Sequence, residues 1–539
     1  MRFTSAYYSP STVDESSRNL STDVCIYGAN AAGVMAAVQV VRSGCRVVLL
    51  NPSRHVGGMT SGGLSFTDIG DKAAIGGLAR DFYRRLGAYY GKPEEWNFEP
   101  HVAERILNEY LAEAGVAVMN GQYVEAARHI ESSGAPRISE IRTTSGLTVT
   151  ARYFIDCSYE GDLMARSGIR YAIGREANAE HGERFNGQQI NATHQFGSKI
   201  DPFIRPGDSQ SGLLPGIDPD SEFIPGFPDR RVQAYNFRVC LTRRPGLRVS
   251  FSKPDGFDPR DYELLARLLA SGWSDVFAKF DRIQGEKIDA NNFGPVSTDY
   301  IGGSAAWPEA SYSERERIFM RHVQYQQGYH WFMSNALAVP APIRSSYSKW
   351  GLAADEFLGT VDHWPHQLYV REARRMVGEL VVTENHCLGF RTEDDAIGLG
   401  AYQMDSHNCR RIVHDGYVLN EGDVQIKLNR PYGISYRSII PRKGECANLL
   451  VPVCLSATHI AWGSIRMEPV SMILAQSAAV AASGAIASGN IPVQDVQYAK
   501  IRPLLDRCGQ ILSADGISEP SIGNDAHGPA RAAQTSLEG

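Results

Sequence analysis

Residues 23–63 read DVCIYGANAAGVMAAVQVVRSGCRVVLLNPSRHVGGMTSGG, and this stretch decides the fold. Val24 to Tyr27 is a short apolar strand, and Gly28 to Gly33 is a tight turn. Val34 to Ser43 is a helix of small apolar residues, and Arg46 to Leu50 is a second strand. The order is β-α-β, with a glycine turn where a pyrophosphate would rest on a helix N-terminus. Such a turn alone also serves to pack helix on strand in many α/β proteins. The second glycine cluster, Gly57-Gly58 and Gly62-Gly63, follows the second strand directly and would bring further backbone amides to the same ligand.

Several later blocks extend the pattern: FIDCSYEGDL at 154–163, PHQLYVREARR at 365–375, LLVPVCLSATH at 449–459 and GSIR at 463–466. With the run from His55 to Gly63, they resemble the FAD-dependent oxidoreductases of glutathione-reductase-like cofactor fold. More narrowly, they are similar to the branch that carries the label xanthan lyase. The resemblance runs from about Asp23 to Leu512. It implies an α/β architecture: a Rossmann-type FAD-binding domain with a β-meander, and an inserted α+β substrate domain. It also implies an FAD site on Gly28, Ala29, Asn30, Ala32 and Gly33, on Asn51 and His55, and on Gly57, Gly58, Met59 and Thr60. Val124, Cys157, Gly463, Ser464 and Ile465 complete the implied set.

Two positions depart from the family pattern. Asn30 stands where the turn has its middle glycine; it can take a left-handed conformation but brings a side chain towards the phosphates. Asn51 replaces the acidic residue that closes the second strand, and an amide bonds a ribose hydroxyl without charge assistance. His55, before the double glycine, could form a covalent flavin bond, but a histidine hydrogen-bonded near a non-covalent cofactor is the expectation.

Outward from this unit, helices are expected over Leu78–Tyr90 and Val102–Ala114. Short strands at Ala117–Met119, Val124–Ile130, Ile138–Thr143 and Leu147–Thr150 read as a β-meander, with turns such as Ser132-Ser133-Gly134. Tyr153–Asp156 is a strand returning to the main sheet. From Gly168 proline, aromatics and long loops dominate, and near Leu449 the texture of the first part returns. The expected division is a tail over 1–20, cofactor domain over 21–167 and 431–512, substrate domain over 168–430, and a tail over 513–539. A cleft where two domains meet is the expected active site.

At 539 residues the chain exceeds one simple core. Its net charge of -6 supplies no basic footprint for nucleic acid or an anionic membrane. Nine cysteines form no CxxC pair and no metal-like spacing, which suits free thiols in a reducing cytoplasm and no metal. The first twenty residues carry no apolar run of signal-peptide length, so a cytoplasmic protein is expected. Pro469 to Gln494 is uncharged, but its Ala, Ser and Gly content, with Gln476 and Asn490 inside, favours a buried helix over a membrane span.

The expected activity is oxidation of a small polar organic molecule, such as a sugar or secondary metabolite, with electrons leaving to dioxygen or an external acceptor. A flavin monooxygenase and a carbon–oxygen lyase acting through transient oxidation are the alternatives. Such an oxidation needs a base for the substrate proton. His366, His407 and His459 stand in motif-like settings. His459 is the first choice because its loop leads to Gly463-Ser464, which reads as the start of a long helix meeting the flavin. His407 is second, because Asp405 would share its strand face. Arg371, in the run REARR, is a candidate for anion binding against an internal salt-bridge cluster or solvated face. Tyr436, beside Arg437, is a candidate for positioning substrate. Gly398-Leu399-Gly400 lacks a third glycine and a following helix, which disfavours a second dinucleotide site.

Overall fold

In a computed structural model, residues 7–10, 18–132 and 135–517 are described. A seven-stranded mixed sheet forms the centre, in the order β3-β2-β1-β6-β5-β4. Its strands are β1 (Asn19–Tyr27), β2 (Val47–Asn51), β3 (Val118–Asn120), β4 (Val124–Ser132), β5 (Ala135–Thr143) and β6 (Thr148–Asp156). The seventh, Leu449–Leu450, pairs in parallel with Phe154 and Ile155 of β6, so the chain returns to this sheet after a long excursion. Strands β1, β2, β3 and β6 are mutually parallel, whereas β4, β5 and β6 run antiparallel.

Two expectations change here. The segment near Met119 is not part of the meander: Leu49, Leu50 and Asn51 pair with Val118, Met119 and Asn120 in parallel. The strands expected at Leu147–Thr150 and Tyr153–Asp156 are one continuous strand, β6. Arg152, in the gap left between them, is exposed and reaches Asp23, 3.4 Å away, without leaving the ladder. The turn at Ser133-Gly134 lies outside the described residues.

Helix α1 (Ala31–Arg42) packs chiefly against the helix Glu468–Ala487. α1 is rich in alanine with Gly33, and its partner is rich in alanine and serine, small residues that let two helices pack closely. The second helix holds no charged residue after Glu468, and 83% of its apolar window is buried inside the protein. Its polar Gln476 is tied down at both ends: Nε2 donates to Gln39 Oε1 (2.9 Å), and Oε1 accepts from the Leu78 amide (2.8 Å). A buried amide so paired avoids a desolvation cost of roughly 1–3 kcal/mol. Helices α2 (Gly77–Tyr89) and α3 (Pro100–Glu113) complete this layer close to their expected bounds.

The middle of the chain builds a five-stranded antiparallel sheet from segments between Val239 and Ala353. Beside it lies the long helix Tyr312–Asn335, started by a reciprocal capping box between Ser311 and Glu314. All nine cysteines are free thiols.

Candidate functional site

The glycine turn after β1 is shaped by close backbone approach. Gly28 sits at φ +100°, and a Cβ there would lie 3.0 Å from the Cys157 carbonyl carbon and the Ser158 nitrogen. A Cβ on Gly33 would lie 1.8 Å from the Gly28 carbonyl oxygen, so only glycine lets the helix begin on the turn. Gly57 (φ +107°) donates its amide to the Ala29 carbonyl at 2.8 Å, which clips the second glycine cluster onto the first.

Asn30 does not take the left-handed conformation expected of it. It is extended (φ −67°, ψ 178°), and its Oδ1 accepts from the Gly33 amide at 2.9 Å as the N-cap of α1. Its Nδ2 donates to the Cys157 carbonyl. The side chain is therefore folded back as a cap. Asn51 is also committed internally: Oδ1 accepts from the Ala29 amide (3.3 Å), and Nδ2 donates to the His55 carbonyl and Asn120 Oδ1, both at 3.0 Å.

Around this turn lies a cavity of about 600 Å³. Gly28, Ala29, Asn30 and Gly58 form its glycine-rich side, and Asn51 to His55 form the end nearest β2. Ser158, Tyr159 and Glu160 follow β6 into it, and His366, Gln367 and Phe319 close it from the middle of the chain. Burial pushes the Glu160 carboxyl up to about 7, against the pull of Arg315. His55 Nδ1 meets Glu104 Oε1 at 3.1 Å, and its ring stacks on His366 at 4.0 Å and 11°. Both ring nitrogens of His366 are buried without a protein partner. A helix N-terminus, a cradle that any Cβ would fill and unpartnered donors beside it fit a dinucleotide.

Several expected cofactor residues stand behind this wall. Ala32 and Gly33 are inside α1, and Gly57 is in the clip. Met59 packs with Leu64 and Tyr369, and Thr60 Oγ1 donates to Glu468 Oε2 at 2.6 Å. The Val124 carbonyl accepts from the Tyr312 hydroxyl, and its neighbour Tyr123 faces the cavity instead. The Cys157 thiol is core, and its neighbour Ser158 is the one exposed to the cavity. Tyr159, Glu160, His366 and Gln367 lie in the quoted sequence blocks, so a signal for them existed. Tyr7, Ser9 and Phe319 had none.

The helix read as starting at Gly463-Ser464 starts elsewhere. Gly463, Ser464 and Ile465 are the last three residues of a short helix, His459–Ile465, capped by Thr458. The long helix begins at Glu468, with Pro469 in its first turn. A Cβ on Gly463 would lie 2.6 Å from the Asp405 carbonyl oxygen, so that glycine serves packing. Ser464 Oγ donates to the Tyr402 carbonyl and accepts from the Tyr432 hydroxyl. At the true helix start, the Glu468 carboxyl is pushed up to about 7 by burial, and its Oε1 accepts from the Tyr159 hydroxyl at 2.9 Å.

His459 is buried, with Nδ1 2.8 Å from Glu372 and Nε2 2.8 Å from Ser406 Oγ. Burial, with Arg375 and Arg175 nearby, drives its pKa down to about 3, so the ring is neutral. The Nδ1 proton then faces Glu372, and Nε2 accepts from Ser406; both nitrogens are spent. His459 does not line the cavity. Tyr436 is likewise placed in the core, its hydroxyl donating to the Val493 carbonyl at 2.8 Å.

His407 does not line that cavity either, but its partners are different. Its Nδ1 is 2.9 Å from Asp299 and its Nε2 3.4 Å from Asp405, and the side chain keeps 12% exposure. Arg371 backs Asp299 at 2.9 Å, and Arg466 backs Asp405 at 2.8 Å. Burial opposes charge on Asp299, yet Arg371 and His407 hold it down at about 2. Asp405 is held below the usual carboxylate range by His407 and Arg466 in the same way. Arg466 also donates to the Tyr369 hydroxyl at 2.7 Å, and Tyr369 packs on Met59 behind the cavity wall. The REARR run is thus a buried ion-pair cluster: Arg371 with Asp299, Arg374 with Asp162, and Arg375 with Glu372 and Glu176.

Among the described residues, Glu99, His101 and Glu356 could surround a cation, but the Lys287 ammonium already lies 2.7 Å from Glu99 and 2.6 Å from Glu356.

The sequence profile described as "FAD dependent oxidoreductase" matches residues 23–505. A thiamine thiazole synthase from Pyrococcus horikoshii is 25% identical over 175 residues, covering 30% of this chain and 67% of that one. Among solved structures, Thermovibrio ammonificans THI4 is 22% identical, with a TM-score of 0.22, covering 28% of this chain and 64% of that one. A 3-ketosteroid-delta4-(5alpha)-dehydrogenase from Rhodococcus jostii RHA1 is 14% identical, with a TM-score of 0.19, covering 27% of this chain and 48% of that one. This chain thus spans about two thirds or less of each of these proteins.

Proposed function

Because the chain belongs to the FAD-dependent oxidoreductase family, we propose that it oxidises a small polar organic substrate, a sugar or secondary metabolite, with His407 taking the substrate proton. Bound FAD supplies the hydride acceptor. The observation that carries this reading is His407 held between Asp299 and Asp405, each backed by an arginine. The Asp299 carboxylate at Nδ1 fixes the tautomer, and Nε2, 3.4 Å from Asp405, is the nitrogen that would take the substrate proton. Asp299 and Asp405 also stabilise the imidazolium that results. Arg371, committed to Asp299, acts here by positioning; His459 holds the Ser406 strand in place.

The cavity on the glycine turn is read as the FAD site of a glutathione-reductase-like domain made of residues 21–167 and 431–512. Residues 168–430 are read as the substrate domain threaded between its halves. Electrons then leave to dioxygen or an external acceptor.

The test is anaerobic bleaching of the flavin by a panel of sugars, uronic acids, amino acids and phenolic metabolites, with His407→Gln and His459→Gln in parallel. Bleaching lost in His407→Gln and kept in His459→Gln supports the assignment. The reverse result returns the base to His459. Cleavage of a carbohydrate without consumption of any acceptor moves the chain to the carbon–oxygen lyase reading.

A further inference from the structure

We propose that Tyr7 to Pro10 form a strap over the cofactor cavity that grips the adenosine half of FAD. This inference rests on the placement of FAD in that cavity. The segment precedes the span matched by the family profile, which begins at residue 23. As part of a polar N-terminal stretch it reads as a loose tail, but the structure ties it to Arg54 and Tyr123 of the cavity lining and to the helix Tyr312–Asn335.

On the β-sheet side, the Tyr123 hydroxyl accepts from the Ser9 amide at 3.1 Å and donates to the Tyr7 carbonyl. Arg54 donates to Ser9 Oγ at 2.8 Å. The Tyr8 amide donates to Glu316 Oε2 at 2.8 Å, and its ring stacks on Tyr312 at 5.6 Å and 13°, Tyr312 itself meeting Tyr123 edge-on at 5.0 Å. The Tyr7 ring meets Trp307 edge-on at 4.8 Å, and its hydroxyl accepts from Arg315 at 3.3 Å. Both Tyr7 and Ser9 face the cavity.

Which half of the ligand they meet follows from the turn. In a β-α-β dinucleotide site the pyrophosphate rests on the helix N-terminus, and the residue closing the second strand meets the ribose next to the adenine. Here that residue is Asn51, whose own amide hydrogens are spent on His55 and Asn120. Arg54 and Tyr123, the residues that hold the strap, stand at that same end. An aromatic wall and a serine hydroxyl there supply contacts that Asn51 does not.

The experiment uses the full chain stripped of flavin, titrated with FAD and separately with FMN, for wild type, Tyr7→Ala, and Tyr7→Ala with Ser9→Ala. The expected result is about a tenfold loss of FAD affinity, the order of one lost aromatic contact. FMN, which has no adenosine, should change less than twofold, so that any stability lost with the Tyr7–Trp307 contact is common to both ligands. Unchanged FAD affinity overturns the strap, as does an equal loss for FAD and FMN. Gly28→Val separates the premise: if that variant keeps its flavin, the cavity placement itself fails. If Gly28→Val loses flavin while Tyr7→Ala binds FAD normally, the strap alone fails.

Discussion

The turn Gly28–Gly33 and the cluster Asp299–His407–Asp405 both bring polar groups together inside the protein, over very different distances along the chain. The turn is local: six consecutive residues, one capping side chain and a clip from Gly57. The cluster joins Asp299, Arg371, Asp405, His407 and Arg466 through ion pairs spanning 61 to 108 positions, with Asp405 and His407 alone close in the chain. In the turn, backbone sterics do the work, and each glycine is there because a Cβ would collide. In the cluster, desolvated charges must cancel, so each residue depends on partners that only the fold brings close. Lesions in the first should therefore abolish ligand binding, and lesions in the second should alter chemistry or stability.

Gly28→Val sets the upper end of that contrast. The branched side chain would strain a φ of +100° and meet the Cys157–Ser158 peptide, so the purified variant should carry no FAD. Its absorbance spectrum checks this directly; wild-type flavin content would move the cofactor site elsewhere.

For the cluster, His407→Gln should keep FAD yet slow flavin reduction by about 10²- to 10⁴-fold, the range for a missing general base. His459→Gln should instead cost about 1–3 kcal/mol of stability by disturbing a buried hydrogen-bonded site. Stopped-flow reduction and thermal unfolding of both variants would separate the two roles. If His459→Gln loses rate and keeps stability, the two histidines exchange places in the comparison.

Glu468 lies between the two regions and responds to pH. Its folded pKa of about 7 exceeds the ordinary 4.5, so the folded state holds the proton more tightly than the unfolded chain. Its contribution is most favourable below pH 4.5 and is lost as pH rises towards and past 7, by roughly 3 kcal/mol in all. Glu468→Gln removes that dependence. Apoprotein unfolding at pH 5 and pH 8 should show a smaller fall in the variant than in wild type. An equal fall in both would place the titrating group elsewhere.

The smallest effect is expected from restoring the family's acid at Asn51. Asn51→Asp would turn a carboxylate towards the His55 carbonyl and lose the donors now spent there and on Asn120. A loss of about 1–2 kcal/mol in stability is expected, with no gain in FAD affinity. Tighter FAD binding in this variant would show that the amide is a local defect.

The sequence by itself determined the β-α-β unit, its glycine contacts and the family, because those features depend on residues close in the chain. The helix bounds of α2 and α3 were legible for the same reason: their apolar period is local. It placed Gly28, Ala29, Asn30, Asn51, His55 and Gly58 at the cavity, and its quoted blocks contained Tyr159, Glu160, His366 and Gln367. What a polar or small residue does inside a strand or helix was not legible. The strands read separately at Leu147–Thr150 and Tyr153–Asp156 are one strand, β6, and Gly463-Ser464 read as a helix start but packs on the Asp405 strand. Only the tertiary structure shows how differently His459 and His407 are held. Their flanking sequences favoured His459, whereas the partners that neutralise one and orient the other, Arg375, Ser406 and Glu372 against Asp299, Asp405 and Arg466, are assembled by folding. Burial and paired charge set a histidine's protonation, and both are properties of the packed chain.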